Sequence, residues 1–84
     1  MINYLLTCRS LTYAQRAARV LGRTGIKAVI MRTPPNMSPE GCGYCIRIPE
    51  RQLAYSLVEL KEAGLSPVRI FAQFADGQTR EAEL

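Results

Sequence analysis

Hydrophobic and polar positions alternate in four segments of the chain, and in two further segments hydrophobic positions recur at helical spacing. The alternating segments, rich in β-branched and aliphatic residues, are residues 2–8, 26–32, 44–48 and 67–74. The helical segments are residues 11–21 and about 50–63. Ser10 stands where a helix N-cap is expected, and Gly22, Gly25 and Gly64 supply helix stops. The chain is therefore predicted to run strand-helix-strand-strand-helix-strand.

This order of elements is that of the split β-α-β plan. It predicts an α+β, ferredoxin-like sandwich (βαββαβ) whose four-stranded antiparallel sheet, in the order 4-1-3-2, carries both helices on one face. Residues 1–74 would form this domain, and residues 75–84, which are small, polar and charged, a flexible C-terminal tail. A chain of 84 residues has no room for a second domain.

The sheet face away from the helices is predicted to be half apolar. By alternation it would carry Leu5, Val29, Met31 and Phe71 together. Monomeric proteins rarely expose a patch of that size. We therefore expect a homodimer in which two such open sheet faces meet.

A stretch rich in proline and glycine, residues 33–43, separates the second and third predicted strands. Its three prolines and two glycines exclude a helix or a central strand. Cys42 stands between Gly41 and Gly43, so neither neighbour has a side chain that shields its sulfur. This pattern predicts a reactive thiol at Cys42, although a buried cysteine that simply fills the loop is the alternative.

The predicted topology brings the end of the first strand and the start of the first helix close to this cysteine. Cys8, Arg9 and Ser10 would then lie at the same pole as Cys42. The free amides and partial positive charge of a helix N-terminus, with Arg9 beside them, favour a thiolate, a persulfide or a small oxyanion. The candidate binding residues at this pole are therefore Arg9, Ser10 and the two glycines that flank Cys42.

Cys8 and Cys45 are the candidates for a second thiol. Alternation places Cys8 on the helix-facing side of its strand, where a core residue is the simpler interpretation. Cys45 forms a C-x-x-C spacing with Cys42, but such pairs normally work at the start of a helix, and Cys45 falls within a strand. Whether either pairs with Cys42 stays open. Three cysteines without any histidine leave a zinc site one protein ligand short, so we expect no metal and no cofactor.

Basic residues are concentrated in the first part of the chain. Residues 1–49 contain seven lysines and arginines against one glutamate, whereas residues 50–84 contain four against six acidic residues. This asymmetry suits a solvated helix face or a docking surface for an acidic partner. RNA recognition on a sheet needs aromatic side chains for base stacking, and the predicted open face offers only Phe71. Nucleic acid is therefore not the expected partner.

The sequence predicts a cytoplasmic protein that does not contact membranes. No run approaches the roughly 20 apolar residues that cross a bilayer. The N-terminus lacks the basic region, apolar segment and cleavage site of a secretion signal. An odd number of cysteines in such a chain favours reduced thiols over a disulfide framework.

Several short motifs together resemble a known family. They are Tyr4-Leu5-Leu6-Thr7, Ser10, Gly25-Ile26, Thr33-Pro34, Ser38, Cys42-Gly43 and Arg47. Over about residues 3–74 the chain is similar to the small family of selenium/sulfur carrier-like proteins, in which the cysteine before glycine is the carrier. The resemblance implies that Cys42 holds sulfur or selenium as a persulfide or selenopersulfide and that Arg47 helps to steer the donor. Cys8 and Cys45 are not part of the family pattern.

The resemblance favours a carrier or delivery protein over an enzyme that turns over a substrate. Its partners would be the proteins that donate and accept the sulfur or selenium. From the residues alone a second function stays open, which is a regulatory or binding module for a small anionic ligand or RNA with incidental cysteines.

Overall fold

The computed structural model describes residues 2–34 and 43–82 of the chain. The elements are β1 (Asn3–Cys8), α1 (Leu11–Arg23), β2 (Val29–Arg32), β3 (Tyr44–Pro49), a short 3₁₀ turn (Glu50–Gln52) that leads into α2 (Leu53–Glu62), β4 (Arg69–Gln73) and β5 (Thr79–Glu81). The strands form one antiparallel sheet in the order β2-β3-β1-β4-β5. The prediction of an α+β chain with two helices and an antiparallel sheet is confirmed.

The prediction of four strands is wrong, because β5 lies in the segment expected to be a flexible tail and pairs with β4. A tight turn connects β4 to β5. In it the Phe74 amide donates to the Gln78 carbonyl at 2.8 Å, and the Gln78 amide donates to Asp76 Oδ1 at 3.0 Å. Gly77, with φ 88°, adopts the left-handed conformation that side chains disfavour. An Asp-Gly pair of this kind is a hairpin signal. Where the domain ends, predicted at residue 74, stays a prediction.

Both helices pack on the same face of the sheet and share one core with it. Ser10 caps α1 as predicted, its hydroxyl accepting the Tyr13 amide at 3.3 Å. On α1, Ala14, Ala17 and Leu21 are buried, while Leu11 is 40% exposed. The shared core contains these buried residues: Leu6, Cys8, Ala14, Ala17, Leu21, Ile26, Ile46, Ile48, Leu53 and Leu60.

The opposite face of the sheet has a second, smaller core. Leu5, Cys45 and Phe71 are buried there, with Met31 packed against them. The predicted exposed patch is therefore wrong for Leu5 and Phe71, which are 0% and 7% exposed. The reason lies in the register: Leu5, on the central strand, has Arg47 beside it on β3 and Phe71 on β4. Long neighbours on the same face shield a central residue.

The start of β4 is attached to β1 through one residue, Thr7. The Val68 amide donates to the Thr7 carbonyl at 2.8 Å, and the Arg69 amide donates to the Thr7 hydroxyl, also at 2.8 Å. The same hydroxyl donates to the Arg69 carbonyl at 3.2 Å. Thr7 is 2% exposed, so this buried hydroxyl is fully used and fixes where β4 begins.

Candidate functional site

The ends of β1 and β2 meet the start of β3 at one pole of the sheet. Tyr44, the first residue of β3, lies between Arg32 of β2 and Cys8 of β1 in the register. α1 begins three residues after Cys8, so its N-terminus lies at the same pole. The predicted convergence of the β1 end, the α1 start and the β2-β3 connection is therefore present.

Cys42 and Gly41 lie outside the described residues, as does the rest of residues 35–42. The residues on either side of this segment are described, and both are at the pole. The Thr33 amide donates to the Gly43 carbonyl at 2.8 Å, which extends the β2-β3 pairing by one bond. Gly43 has no described atom within 4 Å of the position that a side-chain carbon would occupy. The neighbour of Cys42 is therefore unobstructed on that side.

Thr33 has a buried hydroxyl that makes no hydrogen bond with the described part of the chain. The residue is only 7% exposed. A buried polar group without a partner costs about 1–3 kcal/mol, so its presence calls for an explanation. The threonine was part of the family resemblance, but strand alternation alone gave no reason to place its side chain in a buried position. It is the residue at this pole that sequence reasoning undervalued.

Two arginines at the pole lie over aromatic rings. The Arg9 guanidinium is 5.7 Å from the centre of the Tyr13 ring, and that of Arg32 is 5.5 Å from the centre of the Tyr44 ring. Both arginines are exposed. Arg9 lies along the first turn of α1, where no acidic residue competes for it. Arg32 was not predicted as a site residue, although its position at the end of β2, directly before Thr33, brings it to the same pole.

The N-terminus of α1 adds partial positive charge to this pole. Amides of the first helical turn have no acceptor within the helix. The Ser10 hydroxyl accepts from Tyr13 and the Ser10 carbonyl accepts from Ala14 at 3.0 Å. The partial positive charge of the helix start adds to that of Arg9 and Arg32. The pole therefore carries Arg9, Arg32 and the start of α1.

Cys8 and Cys45 are buried on opposite faces of the sheet. Cys8 is 6% exposed, belongs to the core under the helices, and its Sγ donates to the Leu6 carbonyl at 3.6 Å. Cys45 is fully buried in the smaller core, with Thr7 as its neighbour on β1. They cannot pair with each other across the sheet. A pairing of either one with Cys42 stays a prediction.

Arg47 lies away from this pole. It is exposed on the face opposite the helices, four residues beyond Gly43 along β3, which corresponds to about 13 Å. There it lines a cavity together with Lys27 and Asn3. The described residues thus place Arg9, Ser10 and Gly43 near one another and Arg47 toward the other end of the sheet.

The charge asymmetry of the sequence is also an asymmetry in space. β2 and β3 lie on one side of β1, and β4 and β5 lie on the other. α1, which contacts β1, β2 and β3, presents Arg16, Arg19 and Arg23 to solvent. The acidic residues of the described chain all lie after β3, on the 3₁₀ turn, α2 and the β4-β5 hairpin. The edge of the sheet formed by β2 and β3, together with α1, is therefore basic.

Among residues 2–34 and 43–82, no group of three metal-binding side chains is close enough to hold an ion. No helix in the same residues is long and apolar enough to cross a membrane.

Comparison with known proteins assigns the chain to a family. No curated protein matches it, and no solved structure does. Residues 3–72 match the family described as "Putative Se/S carrier protein-like". The match covers β1 through most of β4, and it includes Cys42 and the residues on both sides of the pole. The chain therefore belongs to the Se/S carrier protein-like family.

Proposed function

We propose that this chain carries sulfur or selenium on Cys42 and delivers it to an acceptor protein. The observation that carries the proposal is the family match over residues 3–72, which includes the Cys42-Gly43 pair. The electropositive pole beside Gly43 supports it, because a persulfide or thiolate is an anion. We also propose the ferredoxin-like plan as the description of the first four strands and two helices.

The transfer needs no cofactor. The Cys42 thiolate attacks the outer sulfur of a donor persulfide, so a sulfur-sulfur bond forms at Cys42 while the donor's own bond breaks and the donor thiolate leaves. An acceptor nucleophile then attacks the outer sulfur on Cys42, and the Cys42 thiolate is released. Each step exchanges one bond for another, so no external oxidant or reductant is consumed.

Thr33 would donate a hydrogen bond to the sulfur anion at position 42. Its hydroxyl is buried, has no partner in the described chain, and belongs to a residue whose amide is bonded to the carbonyl of Gly43. A hydrogen bond to a charged group contributes about 1.5–3 kcal/mol, which would offset the cost of the unpaired hydroxyl. Arg9, Arg32 and the start of α1 add positive charge around the same group.

The partners in this proposal are a donor and an acceptor of sulfur or selenium. The cytoplasm is the proposed compartment because it keeps a carrier thiol reduced. We also propose a homodimer through the sheet face opposite the helices, with a smaller apolar contact area than the sequence predicted. On that face Val29 is 36% exposed and Met31 is half-buried, while Leu5 is not available.

RNA recognition has less support than a carrier role. On the described part of the sheet face away from the helices, the aromatic side chain is Phe71, and it is only 7% exposed. Stacking of a base requires an accessible ring.

Loading by a cysteine desulfurase tests the proposal. The full chain is incubated with the desulfurase and cysteine, and peptide mass mapping locates the added sulfur. We expect one additional sulfur on Cys42, its loss in Cys42→Ser, and its retention in Cys8→Ser and Cys45→Ser. Equal loading of all three cysteines, or loading that survives Cys42→Ser, would overturn the carrier assignment.

A further inference from the structure

A cavity of about 340 Å³ opens on the sheet face opposite the helices, at the end away from the cysteine pole. It is lined by Asn3, Lys27, Val29, Arg47, Ile48 and Pro49. These residues come from the start of β1, the approach to β2 and the second half of β3. The transfer steps proposed above do not use this cavity, although the family resemblance gives Arg47 a role in steering the donor.

Two positively charged side chains line this cavity, and neither has an acidic partner among residues 2–34 and 43–82. Val29 is paired with Arg47 in the register, so Lys27, two residues earlier, lies on the same face and diagonal to Arg47. Both side chains are exposed, and neither has an ion pair within the described chain. The nearest carboxylate in sequence, Glu50, lines a neighbouring cavity with Arg51 instead. Like charges at this spacing repel each other, and a bound anion would remove that repulsion.

The donors suit an anion with several oxygen atoms. Arg47 offers a planar guanidinium that can donate two parallel hydrogen bonds, whereas Lys27 offers a compact point charge. Asn3, which is half-buried, can add a side-chain amide donor. Pro49 and Val29 give the cavity an apolar wall. A tetrahedral dianion matches two cations better than a single carboxylate does.

We infer that the Lys27-Arg47 cavity is a binding site for a small oxyanion of the phosphate and sulfate class. The inference is independent of the carrier proposal, because Arg47 is about 13 Å along β3 from Gly43. It assigns Arg47 to an anion site of its own rather than to the cysteine pole.

Titration of the isotopically labelled full chain with inorganic phosphate, followed by amide chemical shifts at constant ionic strength, tests the inference. We expect saturable shift changes confined to residues around Asn3, Lys27 and Arg47, with sulfate competing and chloride having no comparable effect. Lys27→Gln and Arg47→Gln should each weaken phosphate binding about three- to tenfold, the loss of one charged hydrogen-bond donor at an exposed site. Lys61→Gln, an exposed cation on α2 outside the cavity, is the matched control and should bind as the wild type does.

Two further variants test whether the shape of the guanidinium matters beyond its charge and whether the anion site depends on the carrier cysteine. Arg47→Lys keeps the charge but loses the planar fork, so it should bind more weakly than the wild type. Cys42→Ser should bind phosphate normally, so this result and sulfur loading can fail independently. The inference is overturned if binding does not saturate, if Lys61→Gln weakens it as much as Lys27→Gln does, or if the shift changes extend equally along Arg16 and Arg19 of α1.

Discussion

Thr33 and Gly43 face each other at the end of the β2-β3 ladder, with the Thr33 amide nitrogen 2.8 Å from the Gly43 carbonyl oxygen. This bond joins the two residues that lie on either side of residues 34–42 of the chain. The side chain of Thr33 carries the buried hydroxyl that has no hydrogen-bond partner among the described residues. The residue with this buried hydroxyl is thus bonded, through its backbone, to the sequence neighbour of the proposed carrier cysteine.

Thr33→Val should separate stability from function. Valine has nearly the same shape but lacks the hydroxyl that finds no partner in the described residues, so we expect the free energy of unfolding to rise by about 1 kcal/mol. Urea denaturation measures this change. If the hydroxyl stabilises a sulfur anion on Cys42, the same variant should take up sulfur from the desulfurase more slowly.

Thr33→Ser is the matched control, since it keeps the hydroxyl. It should load sulfur at close to the wild-type rate. A Thr33→Val protein that is less stable and loads normally would show that the hydroxyl has a structural role only.

Gly43→Ala should slow the reaction of Cys42 without changing the fold. No described atom lies within 4 Å of the added carbon, and Gly43 is not among the glycines with positive φ. We therefore expect a stability change within about 0.5 kcal/mol. Iodoacetamide labelling with peptide mapping should show slower modification of Cys42, because the neighbouring residue is no longer bare. An unchanged labelling rate would show that the missing side chain at position 43 does not control access to the Cys42 sulfur.

The three cysteines should differ strongly in reactivity in the folded protein. Cys8 and Cys45 are 6% and 0% exposed, so they should react only when the chain opens. Quantifying each labelled peptide over time at neutral pH should give one fast thiol, Cys42, and two slow ones. In denaturant all three should react at similar rates. Slow and uniform labelling of the folded chain would favour the alternative of a binding module with incidental cysteines.

Thr7→Val should destabilise the chain by about 1–3 kcal/mol. The Thr7 hydroxyl both accepts from the Arg69 amide and donates to the Arg69 carbonyl, and valine would remove both of these part-buried hydrogen bonds. Thr12→Val, an exposed position on α1, is the control and should change stability by less than about 0.5 kcal/mol. Urea unfolding compares the two. Equal stability of both variants would mean that the start of β4 does not depend on this side chain.

Gly77→Ala should weaken the β4-β5 hairpin. An alanine at φ 88° costs about 1–2 kcal/mol, and amide hydrogen exchange should accelerate in β5. Gly22→Ala is a control in which stability should change in the opposite direction. This glycine is within α1 and has no described atom within 4 Å of an added carbon, so alanine should raise the free energy of unfolding by up to about 1 kcal/mol. Unchanged exchange in Gly77→Ala would show that β5 is not held by this turn.

The sequence predicted the helices and strands better than it predicted which of their residues are buried. Alternation correctly placed Cys8 on the helix-facing side of β1 and Leu5 on the other, because strand periodicity fixes the face of a residue. It could not show that Leu5 is shielded by its neighbours, since shielding depends on the length of side chains across the register. β5 was missed because its three residues are polar, and the hairpin is encoded mainly by Asp76 and Gly77.

The candidate site was predicted in outline only. The helix cap at Ser10 and the meeting of β1 with β3 follow from local signals and topology, and both are present. The burial of Thr33 and the cavity around Lys27 depend on how several segments pack together. Local sequence patterns do not predict such packing.

The separation of basic and acidic residues along the strand order gives the molecule a permanent electric dipole moment. Because α1, β2 and β3 contribute the positive end, a negatively charged protein approaching from any direction would turn the domain so that this end arrives first. The connection that contains Cys42 joins β2 to β3. Encounters with an acidic partner would thus be oriented by long-range forces, and their rate should fall as ionic strength rises.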